Sequence, residues 1–166
     1  MTEATTYPDC EICSLLPTIP ASMLLIENEH WNVNLSSQDQ FLLGRSYISL
    51  KRHAAELDEL TAEEERSFID VRNQLFRAIR RSFHPITFNI ACLKNDAFRT
   101  SPDTTPSEAT HVHWHILPRY GTQPVNFGGD TFNDPAPGRY LRDPQAQAVS
   151  PATALAIADV IRNNLD

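Results

Sequence analysis

Apolar and polar residues trade places along this chain with two periods, and the change from one to the other marks its elements. Trp31, Val33 and Leu35 alternate with Asn32, Asn34 and Ser36, the period of two expected of a half-buried strand, whose successive side chains point to opposite faces. Ahead of them, Met23-Leu24-Leu25-Ile26 is a compact apolar run of strand length, and residues 47–50 are a third, partly β-branched strand candidate. Residues 36–44 between them read as a loop. From Thr61 the period lengthens. Phe68, Val71, Leu75, Phe76 and Ile79 recur at helical spacing and predict an amphipathic helix to about Phe83. Thr61-Ala62-Glu63-Glu64 opens it as a capping box, and His84-Pro85 breaks it. Residues 88–93 and 111–117 read as strands again, and Ser150-Pro151 gives an N-cap followed by proline, opening a last helix to about Asn163.

Three strands, a helix, two strands and a helix do not alternate as βαβ units do. The order predicts an α+β fold: a roughly five-stranded, largely antiparallel sheet with one long helix and one C-terminal helix. A chain of 166 residues suits one domain over 1–166. Within it, residues 1–9 are expected to be a flexible terminus. Residues 96–110, with Pro102 and Pro106, are expected to form a long mobile loop, and residues 119–149, rich in glycine and proline, to be largely irregular.

Charge narrows the functions open to such a chain. Its net charge is −7 and its pI near 5.3, so no general electrostatic attraction draws it to nucleic acid or to an anionic membrane. Any phosphate must be bound locally, by a few aimed donors. Arg77, Arg80 and Arg81 are not such a patch, because they stand at the C-terminal end of the long helix and answer its dipole. No apolar run is long enough to span a bilayer, and residues 1–8 lack the layout of a signal peptide; a cytoplasmic protein is expected. Three cysteines, an odd number, argue against a disulfide framework. Cys10-Glu11-Ile12-Cys13 is either half a zinc site or a redox pair, and Cys92, in an apolar run, is expected to be a small core residue.

The chemistry concentrates in His111, His113 and His115, separated by Val112 and Trp114. On a strand the three rings would share a face, about 7 Å from one to the next, while Val112, Trp114 and Ile116 anchor the other face. A solvent-facing polar surface is a poor account of three histidines in register. Two accounts remain open from spacing alone: a metal site on H-x-H geometry, or nucleophilic and acid–base catalysis on a phosphate, with a neutral imidazole attacking and protonated neighbours neutralising charge. His30 and His84 are expected to be exposed and without a role.

The run His111-Val112-His113-Trp114-His115-Ile116-Leu117 resembles the motif of the histidine triad (HIT) family, alternating histidines and apolar residues, and Pro118-Arg119-Tyr120 extends the likeness. Cys10 and Cys13 stand where many bacterial members carry a cysteine pair, Gly44 to His53 (GRSYISLKRH) resembles the family's glycine, strand and basic-basic-histidine segment, and Phe127 to Pro135 is similar to a bacterial branch that includes diadenosine polyphosphate hydrolases.

The resemblance implies a HIT-like fold, a homodimer whose sheet crosses both subunits, and a nucleotide or dinucleotide substrate cleaved at the α-phosphorus. It implies His113 as the nucleophile forming a nucleotidyl-histidine, His115 as a hydrogen-bond partner of the α-phosphate, and surroundings of His111 that orient His113. Asn34 would contact ribose, and Asn95 the phosphate or leaving group. No cofactor is required for this chemistry, but a structural zinc on Cys10, Cys13, His53 and His111 is implied. One segment departs from the pattern: where most members carry Gly-Gln-Ser/Thr ahead of the triad, this chain reads Pro106-Ser107-Glu108-Ala109-Thr110, leaving Ser107 as the candidate substrate-contacting hydroxyl. Two rival functions stand beside this one: a zinc hydrolase whose metal is held by the histidine row, and a nucleotide-binding protein with weakened catalysis.

Overall fold

The computed structural model describes residue 7 and residues 10–94, 110–141 and 144–166. In β2 (Trp31–Leu35) the alternation at 31–35 does what its period predicts: Trp31, Val33 and Leu35 are buried, and the asparagines between them are half-buried. Strands β1 (Leu24–Glu27), β3 (Ser46–Leu50), β4 (Thr87–Ala91) and β5 (His113–Arg119) complete a five-stranded sheet in the order β1-β2-β3-β5-β4. Every neighbouring pair is antiparallel. The last strand of this sheet in sequence is therefore not an edge. β5 inserts between β3 and β4, which places its histidines in the interior of the sheet.

One face of the sheet is covered by helices. The amphipathic stretch forms α2 (Ala62–Phe83), with Val71, Leu75 and Ile79 buried. Thr61 Oγ1 accepts from the Glu64 amide at 3.2 Å while Glu64 Oε2 accepts from the Thr61 amide at 2.8 Å, so both arms of the predicted capping box are made. At the other end His84 takes the left-handed conformation, φ 54°, and donates its amide to the Arg80 carbonyl at 3.1 Å, ending the helix before Pro85. Phe68 links helix to sheet: its ring lies 5.3 Å from Trp31 and stacks on Trp114 at 5.0 Å. The three arginines at the C-terminal end of α2, expected to answer the helix dipole, also make local contacts: Arg77 and Arg81 pair with Asp166, and Arg80 lies over the Phe88 ring. The last helix, α3 (Pro151–Arg162), buries Ile157 and Ile161 completely.

The differences from expectation are local. The short helix α1 (Glu11–Leu15) has no counterpart in the periodic pattern; Cys10 Sγ caps it, accepting from the Cys13 amide at 3.4 Å. β5 starts at His113, two residues later than the expected 111–117, and runs on to Arg119. Its lead-in is held instead by Val112, which donates to the Ala54 carbonyl at 2.8 Å and accepts from the Leu50 amide at 3.1 Å. β4 ends at Ala91 rather than Leu93, and Lys94 follows with φ 51°. The segment expected to be largely irregular carries a hairpin, β6 (Val125–Phe127) with β7 (Asp130–Phe132). It is anchored by Phe132, 1% exposed, and by Phe127 set edge-on against Phe83. Three-residue strands flanking Gly128-Gly129 are too short to show a period.

Candidate active site and metal centre

The open face of the sheet is set by parity. Ile48 and Ile116 point into the core, so on the same strands Tyr47, Ser49, His113 and His115 point away from it. The register aligns them in rows: Asn34 opposes Tyr47, Tyr47 opposes His115, and Ser49 opposes His113. These five side chains line one groove, together with Arg45, Asn89, Leu117 and Arg119.

The three histidines do not stay together. His113 and His115 line the groove with ring centroids 5.1 Å apart, but His111, which precedes the strand, turns its ring into the protein and is 1% exposed. The even row of three rings expected from an ideal strand is corrected to a pair and an outlier. The division has a clear chemical meaning. His111 Nε2 lies 2.8 Å from the Leu50 carbonyl oxygen. A carbonyl only accepts, so in the neutral ring Nε2 carries the proton and donates, leaving the Nδ1 lone pair facing Cys10 Sγ at 3.4 Å and Cys13 Sγ at 3.5 Å. His113 is bonded the other way round. Its Nδ1 lies 2.9 Å from the His111 carbonyl, so Nδ1–H donates and the Nε2 lone pair is left for the groove.

Charge on the row is also unlike the expectation of protonated neighbours. Burial, reinforced by His113 and Arg45, pushes His115 down to about 3. Burial takes His111 down to about 4, against the opposing pull of its bond to Leu50. At neutral pH both are uncharged, and His115 can offer a phosphate a hydrogen bond but no cationic charge. The cation beside it is Arg45, whose guanidinium lies between the Phe41 and Tyr47 rings at 5.0 and 5.2 Å and pairs with Asp39.

Behind the groove lies a second cluster. Cys10, Cys13, His53 and His111 bring one donor atom each to within 4.8 Å of one another. Cys13 Sγ is 3.4 Å from His53 Nδ1, matching the two sulfur–nitrogen distances at His111. A tetrahedral zinc with thiolate at about 2.3 Å and imidazole at about 2.0–2.1 Å sets sulfur–nitrogen separations of about 3.5 Å, so the set fits that ion. Its surroundings fit as well, since the Leu50 carbonyl fixes the His111 tautomer that presents Nδ1, as outer partners of metal-bound histidines do. Burial raises the Cys10 thiol to about 11, and Tyr7 lies 4.2 Å from His53, ring to ring. Among the described residues, this is the one such donor group, and His113 and His115 are outside it.

The remaining candidates are scattered. Asn34 lies in the groove, half-buried, its Nδ2 donating to the Leu35 carbonyl at 3.2 Å. Asn95, Ser107 and all of the expected 96–110 loop except Thr110 lie outside the described residues; Thr110 itself is buried. Cys92 is half-buried rather than a core residue. His30, expected to be exposed, is half-buried with Nε2 3.9 Å from Glu63, while His84 is exposed. Sequence reasoning missed Arg45, Tyr47, Ser49 and Arg119 as groove residues. The alternation carries three of them, because Arg45, Tyr47 and Ser49 share a parity opposite to Ile48. Arg119 is held in place by Asp134, which accepts from its Nε at 2.7 Å and its Nη2 at 2.8 Å.

Comparison of the sequence with protein-family models gives no match, and comparison with curated proteins gives none either. Solved structures do match. A zinc-bound histidine triad family protein from Mycobacterium smegmatis is 20% identical, with 93% of this chain and 91% of that one covered and a TM-score of 0.57. A HIT family protein from Bacillus anthracis is 26% identical over 70% of this chain and 77% of that one, TM-score 0.54. A uridylyltransferase is 19% identical over 93% of this chain and 44% of that one, TM-score 0.63. The α+β fold of this chain, with its five-stranded antiparallel sheet, is thus the fold shared by histidine triad proteins.

Proposed function

We propose that this protein is a nucleotidyl hydrolase or transferase in which His113 Nε2 attacks the α-phosphorus of a dinucleoside polyphosphate or a nucleotide conjugate. One observation carries the proposal: the 2.9 Å bond from His113 Nδ1 to the His111 carbonyl, which leaves an unprotonated ring nitrogen facing a groove. A nucleophile held in its reactive tautomer by a third group is what such chemistry requires. In the first step a P–N bond forms at Nε2 as the bond to the leaving group breaks. In the second, water attacks the same phosphorus, the P–N bond breaks, and the electron pair returns to Nε2. His115 hydrogen-bonds a phosphoryl oxygen, Asn34 contacts the ribose, Asn95 is assigned to the phosphate or leaving group, and Ser107 remains the candidate substrate-contacting hydroxyl. The solved neighbours, which include histidine triad proteins and a uridylyltransferase, support a nucleotide-handling role.

Cys10, Cys13, His53 and His111 would hold a structural zinc, which supplies a fixed joint between α1 and the lead-in to β5. It takes no part in the displacement, because the groove rings are not among its donors. Strand β4 is a sheet edge, and Ile86, Ile90 and Leu93 are exposed along it at 74, 36 and 39%. That uncovered apolar edge supports a homodimer with the sheet continued across it.

The test is chemical trapping. Mixed with α-labelled diadenosine polyphosphates, adenosine 5′-phosphoramidate or adenylated amines and quenched in alkali, the wild type should yield labelled protein. His113→Ala should bind the same nucleotides, form no adduct and lose turnover by at least about 10³-fold. Full turnover in that variant refutes the nucleophile. Tight binding without turnover by the wild type would mark a nucleotide-binding protein instead.

A further inference from the structure

Ser49 stands directly opposite His113 in the β3–β5 pair, and directly opposed side chains in an antiparallel pair lie about 4.5–5.5 Å apart at Cβ on one face of the sheet. It is only 4% exposed, yet it belongs to the groove wall. Its hydroxyl makes no hydrogen bond among the described residues. Ser46 on the same strand shows the ordinary case: it faces the other way and donates to the Gly44 carbonyl at 2.9 Å. Among the described residues the Ser49 oxygen is not one of the sealed, unpartnered side-chain atoms, so its hydroxyl opens onto the groove, without a protein acceptor and available to a bound phosphate.

The neighbours indicate which acceptor. His113 presents a lone pair, which cannot donate. His115 is neutral, and Arg45 lies four residues before Ser49, just ahead of β3, committed in part to Asp39. The ring nearest the attack point therefore brings no proton donor to the phosphoryl group it attacks, and the residue across the ladder from it brings one. We infer that Ser49 is a phosphoryl-binding residue, its Oγ–H donating to a non-bridging oxygen of the α-phosphate as negative charge builds there during attack by His113. The inference rests on the catalytic reading above and adds a specific contact to it: one of the two non-bridging oxygens is held by serine.

Adenosine 5′-phosphoramidate and its two α-thio diastereomers test this in single-turnover quench experiments on wild type and Ser49→Ala. Loss of one donor to a developing oxyanion costs about 10²–10³-fold at full strength. The expected result is adduct formation about 30- to 100-fold slower in Ser49→Ala, with KM within about twofold and an unchanged Tm. Sulfur accepts hydrogen bonds poorly, so the wild type should react much faster with one diastereomer than with the other, and Ser49→Ala should bring the two rates together. Ser49→Thr, which keeps the hydroxyl, should keep the diastereomer preference. An adduct rate in Ser49→Ala equal to wild type, or a slower rate with the preference intact, overturns the assignment of Ser49 alone. A wild type that forms no adduct overturns the catalytic reading and this inference with it.

Discussion

At the scale of single residues, buried charge decides more than its abundance suggests. Arg119 and Asp134 have side chains 8 and 1% exposed. Burial alone would raise the Asp134 carboxyl, but the Arg119 guanidinium and nearby backbone amides more than offset it and hold the group below its usual range. The same guanidinium donates to Asn89 on β4 and to the Ala136 carbonyl, so one side chain fastens the segment after the hairpin to the sheet face that carries the histidines. Removing one partner strands the other as an unpaired buried charge, which costs about 3–5 kcal/mol. Asp134→Ala should therefore lose about 3 kcal/mol or more in urea unfolding, whereas the double change Arg119→Met, Asp134→Ala should recover much of it. A single variant with stability within 0.5 kcal/mol of wild type, on the order of an ordinary surface substitution, would show that the pair contributes only at the surface.

At the scale of elements, the junction of α2 with β3 shows how sequence pattern and electrostatics reinforce each other. Glu64 caps the helix through Thr61 and also accepts from Arg52 Nε at 2.6 Å and Nη2 at 2.8 Å. The Arg52 hydrogen bond, ahead of burial, which opposes it, takes the Glu64 carboxyl down to about 2. An unfolded glutamate titrates near 4.3, so between about pH 4.3 and 2 the unfolded chain binds the extra proton and stability falls as pH falls. Above that window the contribution is complete. Glu64→Gln should cost about 2 kcal/mol at pH 7, and unfolding measured from pH 6 to 2 should show a shallower slope in the variant; parallel slopes would exclude this linkage. Thr61, Glu64 and the periodic apolar positions were all legible in the sequence, as were β2 and the final helix, because each rests on contacts within a few residues. The histidine row was legible as a candidate site but not in its geometry. What turns His111 away from His113 is Leu50 and a cysteine pair about a hundred residues earlier, and no local period encodes such a partner. For Arg45 and Ser49 the alternation carries the face they share, but not their importance, which lies in what stands across the ladder.

At the scale of the whole molecule, the Cys10, Cys13, His53 and His111 cluster joins three distant points of the chain: its start, the exit of β3 and the lead-in to β5. The metal it fits would act on folding more than on chemistry, because the nucleophile is oriented by the His111 backbone carbonyl while the metal takes the His111 ring. A ligand bound only by the folded state adds about 4 kcal/mol when present at a thousand times its Kd, and for a chain of this length that corresponds to a Tm change on the order of 10 °C. Stripping the metal with a chelator, or replacing both Cys10 and Cys13 by serine, should lower Tm by that order. Measured well below the lowered midpoint, the same protein should still form the His113 adduct at a rate within about threefold of the untreated enzyme, since the catalytic tautomer needs only the carbonyl. If instead the folded, metal-free protein bound nucleotide but formed no adduct, the ion would belong to the reaction, and the separation of clamp from groove drawn from the divergence of His111 and His113 would be wrong. If chelation left Tm unmoved and elemental analysis found no zinc, the four donors would be a hydrogen-bonded cluster holding the N-terminal helix without an ion.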